Sequence, residues 1–544
     1  MKNKHNLISI FIILCLAVLL AAAPAPLQAG QKTARGMVFD DANRNRIFDK
    51  GEQGIPGVVV SNQYQAVQTD EKGFFRLPVE NETIIFVSKP AGYNVPLNEN
   101  NFPQFYYIHQ PAGSPAGLQY PGIAPTGKLP AMIYFPLFKA AAEESFDVIV
   151  MGDPQTATPE EIDFFRDSIV SGLVGTGARF YLALGDIMYN DLSHYDQMNR
   201  VVGQIGIPIH HVMGNHDMNF QVPDYIHEAE TFKRIHGPDY YSFNYGKVHF
   251  IVMNTIKYFG WNTAKMKAGS YTGFVHERQL AWLKNDLSFV PQDHLVVLSM
   301  HIPVITDLYP KDETCQIMNR ADFFKILESR EHLLALAGHM HYVEYIEFSA
   351  THGWNGKIIF PSLTAGAGCG TWWHGPRDPW GIPFGMCTDG APNGYFLFSF
   401  KGNRYHYRFH AAASTPDAPG SQLRINSPTG TLSSQDLKDG KITINVNVFA
   451  GTPRATVTFT LDNGPEMRME RTVMNDPFFA RLIETNKASY LDWMDPCFSA
   501  HTWTAPLPSG LEPGLHRLKV TATDQQGDVF TAYRLFEIAP LPLQ

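Results

Sequence analysis

The amino-acid sequence predicts an α/β layered core with one β-sandwich before it and one after it along the chain. Between residues 146 and 410, short apolar runs alternate with helical patterns, as expected for sheets covered by helices. From about residue 33 to 138, and again after residue 415, short β-rich segments alternate with turn residues. A chain of 544 residues is also too long for one hydrophobic core. We therefore expect three folded units, at residues 33–138, 146–410 and 415–544.

Residues 1–29 have the composition of a secretory signal peptide. Two lysines precede an apolar run from Leu7 to Leu20, and Leu27-Gln28-Ala29 is typical of a signal peptidase site. A retained membrane anchor is the alternative interpretation, although the run is short for a span. We expect an exported protein, either periplasmic, extracellular or at the cell surface, whose mature chain has no transmembrane span.

The charge balance disfavours a role in binding nucleic acids. The formal net charge is −9, and removal of residues 1–29, which hold two lysines and no acidic residue, moves it to −11. Nucleic-acid-binding proteins are usually basic. We therefore expect no nucleic-acid partner.

Four cysteines follow the predicted signal peptide, at positions 315, 369, 387 and 497. An even number in an exported chain permits disulfides without requiring them. Cys369 and Cys387 flank one loop rich in Gly, Trp and Pro, so they are the pair we expect if a disulfide forms.

The N-terminal unit contains three short β-rich segments, Val58 to Ser61, Phe74 to Leu77 and Thr83 to Ser88. Residues 111–130 are rich in Pro and Gly and form either a linker or a long loop packed on the next unit.

One loop of this unit has the spacing of a calcium-binding loop, in which positions 1, 3, 5, 7, 9 and 12 supply oxygen ligands. Asp41, Asn43, Asn45, Asp49 and Glu52 have this spacing. The loop resembles the calcium-stabilised repeats of bacterial surface adhesins, which are transthyretin-like β-sandwiches. Arg46 stands where an EF-hand has glycine, so a polar turn held by Asx hydrogen bonds is the alternative. Either arrangement would serve stability and not catalysis. The candidate ligands are Asp41, Asn43, Asn45, Ile47 through its carbonyl, Asp49 and Glu52.

The central unit alternates buried strands with helices. A helix start is predicted at Thr158, where Pro159 takes the first helical position and Glu161 completes a capping box. Helical patterns also cover Glu277 to Leu287 and Ala321 to Glu328. The predicted strands are residues 147–151, 180–184, 207–213, 248–253, 294–300 and 333–337, and those of the C-terminal sandwich are 442–449, 455–461, 516–522 and 529–538.

Five polar motifs follow five of the central strands. Functional side chains of α/β sheets gather beyond the carboxyl ends of strands, so these motifs are expected to converge. Carboxylate, amide and imidazole ligands suit divalent transition metals, and two such ions can hold a phosphate ester and activate a water. The motifs are Gly152-Asp153-Pro154-Gln155, Gly185-Asp186, Gly214-Asn215-His216-Asp217, His301 and Gly338-His339-Met340-His341.

These motifs, and above all Gly-Asn-His-Asp with Gly-His-Met-His, resemble those of the calcineurin-like metallophosphoesterases over residues 146–410. The resemblance implies a β-sandwich core with helices outside and a site for two transition metals, Mn, Fe or Zn. It implies in-line attack on phosphorus by a hydroxide that bridges the metals. The implied roles are Asp153 and His341 on metal one, Asp186 bridging both metals, Asn215, His301 and His339 on metal two, His216 as general acid or phosphate stabiliser, and Asp217 orienting His216.

Two positions depart from the pattern of this family. Gln155 stands where many members have a second histidine, so its role as a ligand of metal one stays open. Tyr189 stands three residues after the bridging aspartate, where the family often has Asp or Asn, and Asn190 and Asp191 follow it.

Three further side chains are candidates for substrate contact. His194 follows the Asp186 motif, and a surface histidine is the alternative. Trp372, together with Trp373, could form a stacking wall, with His374 beside them. Packing of this loop against the C-terminal unit explains the same residues equally well.

The three-part layout is similar to exported bacterial phosphoesterases with an N-terminal prealbumin-like domain and a C-terminal β domain. We expect an exported hydrolase of a phosphate monoester or diester, carried on a small molecule, a glycan or a lipid. The alternative is a weak or inactive surface-binding protein that uses the same fold as a scaffold.

Overall fold

The computed structural model describes residues 32–540. The predicted signal peptide lies outside the described residues. Within residues 32–540, no helix combines the length and the apolar character that a membrane crossing requires.

The N-terminal part consists of eight strands in two four-stranded sheets. The strands are β1 (Lys32–Asp40), β2 (Val59–Ser61), β3 (Ala66–Gln68), β4 (Phe74–Val79), β5 (Thr83–Val87), β6 (Tyr93–Asn94), β7 (Tyr106–His109) and β8 (Ile133–Lys139). One sheet has the order β4-β1-β8-β6 and the other β3-β2-β5-β7. All five residues of β5 are buried, because this strand also packs on the central unit, where Phe86 contacts the ring of Trp282 at 6.0 Å.

The predicted calcium loop is closed by hydrogen bonds between its own side chains and backbone. Asn43 and Asn45 donate to Asp49 Oδ2 at 2.9 and 2.7 Å, and these bonds lower the pKa of Asp49. The amides of Asn45 and Arg46 donate to the carboxylate of Asp41. Arg46 has φ +67°, which is the left-handed conformation that glycine adopts most readily. These are the Asx hydrogen bonds of the alternative interpretation, and structural calcium stays a prediction.

The segment 111–130 is a long loop packed on the central unit. Thr231 donates to the carbonyls of Tyr120 and Pro121 at 3.1 Å. The hydroxyl of Tyr120 donates to the carbonyl of Asn190 at 3.1 Å. Of the two alternatives for this segment, the packed loop is therefore the one observed.

The central unit contains thirteen strands in two large sheets and one hairpin. The strands are β9 (Ser145–Met151), β10 (Phe180–Ala183), β11 (Ile209–His211), β12 (Tyr241–Tyr245), β13 (Val248–Val252), β14 (Ile256–Tyr258), β15 (Tyr271–Gly273), β16 (Leu295–Ser299), β17 (Leu333–Ala337), β18 (Val343–Phe348), β19 (Phe360–Ala365), β20 (Gly394–Lys401) and β21 (Arg404–Ala411). The first sheet has the order β11-β10-β9-β20-β21, the second β12-β13-β16-β17-β19-β18, and β14 pairs with β15. The two sheets pack against each other, since Phe180 of the first contacts Phe243 and Phe250 of the second.

Helices accompany these sheets. Thr158 caps the first helix by accepting from the amide of Glu161, and Pro159 is its first residue, as predicted. The predicted helices at 277–287 and 321–328 are also present, the second shifted by one residue. The helices are α1 (Pro159–Phe165), continued by a π-helical turn (Arg166–Val170) and α2 (Ser171–Leu173), then α3 (Tyr195–Gly203), α4 (Glu230–His236), α5 (Glu277–Leu287) and α6 (Arg320–Leu327), with 3₁₀ turns at Leu192–His194 and Ala350–His352.

The C-terminal part is a β-sandwich with its own apolar core, which includes Val446, Trp503 and Val520. Its strands are β22 (Leu423–Ser427), β23 (Thr431–Leu432), β24 (Thr443–Val448), β25 (Thr456–Leu461), β26 (Glu466–Arg468), β27 (Glu470–Arg471), β28 (Met474–Asn475), β29 (Phe498–Ser499), β30 (Thr502–Pro506), β31 (Gly514–Thr523) and β32 (Val529–Ile538), and its helical segments are α7 (Ser434–Lys438), α8 (Pro477–Thr485) and a 3₁₀ turn (Lys487–Ser489). The sheet orders are β22-β24-β30-β27 and β23-β32-β31-β25-β26, and β28 pairs with β29. The predicted fold class, a layered core flanked by two β units, is confirmed.

A buried polar network joins the C-terminal sandwich to the central unit. His501 lies between Asp389 Oδ2, at 2.6 Å from its Nε2, and Asn447 Oδ1, at 2.8 Å from its Nδ1. Asp389 also accepts from the amide of Val343 at 2.7 Å. Both side chains of the His501–Asp389 pair are at most 1 % exposed. The network therefore links the sandwich to the first residue of β18, two positions after His341.

The expected disulfide between Cys369 and Cys387 is wrong, because all four cysteines of the described residues are free thiols. The two side chains face different surroundings. The Cys369 thiol lies 3.6 Å from Gln155 Oε1, whereas that of Cys387 lies against the backbone of Ala367. Burial raises the pKa of both thiols well above the usual value.

We predict that His501→Ala destabilises the protein by about 1–3 kcal/mol, because it leaves the buried Oδ1 of Asn447 without a partner and removes one of the contacts to the buried carboxylate of Asp389. The midpoint of urea unfolding, followed by tryptophan fluorescence, measures this loss. The matched control is His516→Ala, which removes a 2.8 Å contact to the exposed Asp462 and should cost less than about 1 kcal/mol. Equal losses of stability in the two variants would contradict the larger stabilising contribution that is assigned to the buried network.

Candidate metal centre

The predicted ligands lie at the carboxyl ends of parallel strands in both central sheets. Asp153, Asp186 and Asn215 follow β9, β10 and β11, which pair in parallel. His301 and His339 follow β16 and β17, which are also parallel. Because the two sheets face each other with these ends together, all five motifs converge as predicted.

Four of these side chains meet around one point. The ligand atoms of Asp186, His301 and His339 lie within 4.8 Å of one another. His301 Nε2 lies 3.2 Å from Asp186 Oδ2, 3.2 Å from His339 Nδ1 and 3.0 Å from Asn215 Oδ1. One carboxylate, one amide oxygen and two imidazoles are a donor set that fits a divalent transition metal.

Three further side chains extend the site on the other side of Asp186. His341 Nε2 lies 3.8 Å from Asp153 Oδ1. Gln155 Nε2 donates to Asp186 Oδ2 at 3.2 Å, so the carboxylate oxygen that contacts His301 also contacts Gln155. A ligand role for Gln155 would require its Oε1 in the place that Nε2 occupies.

Each predicted histidine ligand has one ring nitrogen fixed by a backbone carbonyl. His301 Nδ1 lies 2.8 Å from Leu184 O, His341 Nδ1 lies 2.9 Å from Gly370 O, and His339 Nε2 lies 3.0 Å from Thr314 O. Such contacts select the tautomer and the orientation of the ring. The nitrogens left for coordination are Nε2 of His301 and His341 and Nδ1 of His339.

Burial sets the protonation of the ligands, modified by their neighbours. It raises the pKa of Asp153 well above its usual value. For Asp186, burial acts in the same direction, but the adjacent His301 overcomes it and holds the pKa below the usual range. Burial lowers the pKa of His339 to about 3 and that of His341 to about 4. Both imidazoles are therefore neutral near pH 7, which is the form that binds metals.

Most of the ligand backbones are strained. Five of the seven predicted ligands have positive φ, between +39° and +74°. Conformations of this kind are uncommon for residues other than glycine and cluster at functional sites. The residues are Asp153, Gln155, Asp186, His339 and His341.

Glycines before the ligands permit close approach between the loops. A Cβ on Gly214 would overlap the backbone nitrogen and Oδ1 of Asp186, and a Cβ on Gly338 would lie 2.5 Å from Asp153 Oδ2. Neither glycine has positive φ. At these two positions the structure therefore requires glycine for lack of space and not for its conformational freedom.

His216 lies beside the metal ligands with its ring held on two sides. Its amide donates to Asp186 Oδ1 at 2.8 Å. Its Nδ1 lies 2.7 Å from Asn190 Oδ1, and its ring stacks on Tyr189 with centroids 4.7 Å apart. Burial lowers the pKa of His216. The ring is therefore positioned through Nδ1, which leaves Nε2 for a substrate.

The predicted role of Asp217 in orienting His216 is wrong. Its carboxylate accepts from the amides of Ile187, Met188 and Gly214 and from the hydroxyl of Tyr195 at 3.0 Å. It thus fixes the loop after Asp186, and the group that contacts His216 is Asn190. The sequence carried a weak signal for this, since Asn190 stands one place after the position where the family often has Asp or Asn.

The candidate substrate contacts differ in their surroundings, and one of them, Trp372, lies against a predicted metal ligand. His194 is half-buried, with Nε2 at 3.6 Å from Asp191 Oδ2. Trp372 stacks on His341 with centroids 4.0 Å apart, so it borders the metal centre. His374 contacts the carbonyl of Trp372 through Nδ1. Trp373 is a core residue and no part of a wall, since it is 4 % exposed and donates to the carbonyl of Pro154.

Three models of one protein family match the chain. The model described as calcineurin-like phosphoesterase matches residues 146–343. Those for the N terminal and the C terminal of calcineurin-like phosphoesterase match residues 41–120 and 363–530. The chain belongs to the calcineurin-like phosphoesterases. Membership implies metal-dependent hydrolysis of phosphate esters.

Comparison with solved structures gives remote similarities. The purple acid phosphatase PPD1 from seeds of yellow lupin (Lupinus luteus) is 12% identical over 65% of this chain and 67% of its own, with a TM-score of 0.36. Vps29 of Chaetomium thermophilum is 10% identical over 50% of this chain and 100% of its own, with a TM-score of 0.20. At these scores the similarities carry no argument. No curated protein sequence matches the chain.

We predict that Gly214→Ala weakens metal binding by at least about tenfold, because the new methyl group displaces Asp186. Calorimetric titration of the metal-stripped protein with Mn²⁺ or Zn²⁺ measures the affinity. The matched control is Gly172→Ala in α2, where a Cβ meets nothing within 4 Å and should be neutral or stabilising. Unchanged affinity in Gly214→Ala would show that the close approach to Asp186 does not matter for the metal.

Proposed function

We propose that this protein is a hydrolase of phosphate esters that works with two divalent transition metals. The observation that carries the proposal is the convergence of Asp186, His301 and His339, with their ligand atoms within 4.8 Å. Asn215 on one side and Asp153 with His341 on the other complete two groups of ligands that share Asp186. A protein that only binds a surface has no use for this combination of buried donors.

In this proposal Asp153, His341 and Asp186 hold the first metal, and Asp186, Asn215, His301 and His339 hold the second. When bound, such ions activate a water for in-line attack on phosphorus and neutralise the charge of the phosphate. The chain contributes the fixed orientation of each ligand, through the carbonyls of Leu184, Thr314 and Gly370 and through the backbone of the loops.

His216 is the residue proposed to act on the ester itself. Its Nδ1 is held by Asn190 and its ring by Tyr189, so Nε2 is the atom that can pass a proton to the leaving group or contact a phosphate oxygen. Proton transfer by a positioned side chain contributes typically 10²–10⁴-fold to rate. Asn190 and Tyr189 are positioning residues in this scheme.

We expect that metal-stripped protein hydrolyses p-nitrophenyl phosphate or bis(p-nitrophenyl) phosphate only after Mn²⁺, Fe²⁺ or Zn²⁺ is added back. The preferred ester distinguishes a monoesterase from a diesterase. Asp186→Asn should abolish turnover, because it removes the shared carboxylate. His216→Ala should lower kcat by about 10²–10⁴-fold with metal binding retained. Release of nitrophenol and metal content measure these outcomes.

The controls separate the site from the fold. Asp196→Asn removes an exposed carboxylate from the first turn of α3 and should leave kcat unchanged. Asn190→Ala should lower kcat less than His216→Ala, with unchanged metal content, since it frees the ring without removing it. Wild-type rates in Asp186→Asn would remove this mechanism. A folded protein that shows no turnover with any metal would favour the surface-binding alternative.

We also propose that the protein is exported and acts on phosphate esters outside the cytoplasm. Support comes from the sequence of residues 1–29, with its two lysines, its apolar run and the Leu27-Gln28-Ala29 site. We expect the mature protein to begin at Gly30, which the intact mass of the secreted chain measures. Ala29→Arg should block cleavage, because the site needs a small residue. A secreted wild-type chain that retains Met1 would contradict the signal peptide.

A further inference from the structure

Two indole rings lead from the metal centre to the solvent. Trp372 stacks on the ring of the metal ligand His341, with centroids 4.0 Å apart and planes 17° apart. Trp493, which belongs to the C-terminal part of the chain, meets Trp372 edge to face at 4.7 Å. Trp493 is 54 % exposed. The last ring of this series therefore offers an aromatic surface to a molecule bound at the metals.

Both rings are held in place by buried neighbours. Trp372 and Trp373 are consecutive residues with positive φ, +49° and +57°, and Trp373 is anchored in the core below them. Strain at two adjacent bulky residues persists only where the surroundings fix it, and such strain marks functional sites. On the other side, Met494 is 4 % exposed and holds the segment that carries Trp493.

The two segments are also joined to each other directly. The amide of Gly375 donates to the carbonyl of Ser489 at 2.9 Å. A Cβ on Gly375 would lie 3.0 Å from the hydroxyl of Tyr490, so the two backbones approach closely. The position of Trp493 relative to the metal centre is thus set by contacts between the central unit and the C-terminal part.

The surroundings of Trp493 are acidic and open. Asp492 and Asp495 flank it in the chain, are exposed, and form no hydrogen bond or ion pair with any residue between 32 and 540. An exposed indole offers a flat apolar face, and carboxylates accept hydrogen bonds from hydroxyl groups. A pyranose ring presents both features, since its C–H face is apolar and its edge carries hydroxyl donors.

We propose that the organic part of the ester is a sugar ring, which stacks on Trp493 and donates hydroxyl hydrogen bonds to Asp492 or Asp495 while its phosphate lies at the metals. This inference rests on the proposed function. It assigns a specificity-determining residue to the C-terminal part of the chain, outside the unit that supplies all the metal ligands.

The test compares three phosphate monoesters that differ in the organic part: glucose 1-phosphate, glycerol 3-phosphate and adenosine 5′-monophosphate. We expect wild-type protein to prefer glucose 1-phosphate over glycerol 3-phosphate in kcat/KM. Trp493→Ala should reduce that ratio by about two- to tenfold, the range for one aromatic contact, and Trp493→Phe should largely keep it.

The matched control is Trp380→Ala. Trp380 is 84 % exposed and lies in the same segment of the central unit as Trp372. Within residues 32–540, it has no ring contact with Trp372, Trp493 or His341. Its removal should leave the ratio unchanged. An equal ratio in wild-type protein and Trp493→Ala would overturn the inference. A preference for adenosine 5′-monophosphate that disappears in Trp493→Ala would overturn the assignment to a pyranose ring and indicate that a nucleobase stacks on Trp493.

A binding measurement separates this inference from the proposed function. Calorimetric titration of metal-stripped wild-type protein and metal-stripped Trp493→Ala with glucose 1-phosphate reports ring binding without turnover. Binding that depends on Trp493 in a protein that hydrolyses no ester would refute the proposed function and support the sugar platform. Hydrolysis of all three esters with no binding difference between the two proteins would refute the platform alone.

Discussion

The buried carboxylate of Asp186 is the group on which the candidate site depends. It is 1 % exposed, and it is contacted by His301 from one sheet and by Gln155 and the amide of His216 from loops of the other. A buried charge is costly unless it is paired and hydrogen-bonded. The position of Asp186 therefore forces both sheets to bring their carboxyl ends together. It also excludes any side chain at Gly214, which lies directly against it.

The units on either side of the core take part in holding this arrangement. Tyr120, from the loop between β7 and β8 of the N-terminal unit, donates to the carbonyl of Asn190, and Asn190 in turn contacts His216. His501 of the C-terminal sandwich holds Asp389, which accepts from the amide of Val343 near His341. One flanking unit thus supports the residue proposed to act on the ester, and the other supports a ligand of the first metal. All three units therefore contribute contacts that position residues of the candidate site.

The sequence predicted which side chains converge, because coordination chemistry restricts candidate ligands to few residue types and strand ends restrict their positions. Asp153, Asp186, Asn215, His301, His339 and His341 could all be named for these two reasons. The orienting contact of Asn190 was missed because the loop after Asp186 places its side-chain oxygen at His216 Nδ1, whereas Tyr189 stacks on the face of the ring. Trp493 and His501 were missed because their roles arise only from packing between units more than 100 residues apart in the chain. The expected Cys369–Cys387 bond failed for a similar reason: proximity in sequence says nothing about which way two thiols point.

The motifs that were easiest to recognise in the sequence are the ones whose backbone is strained in the structure. Five ligands have left-handed φ, and conformations of this kind cost on the order of 1–3 kcal/mol each. Asp153 and Asp186 add two buried carboxylates in one site. Backbone propensity disfavours residues other than glycine in this conformation, so it does not account for the residue types found at these positions. They persist because the flanking strands over-determine the loops, and a cation bound between the carboxylates would offset their mutual repulsion. The departures from local preference lie at the ends of three strands, β9, β10 and β17, and agree with selection for coordination rather than for folding. This is why those motifs could be recognised before the structure was known.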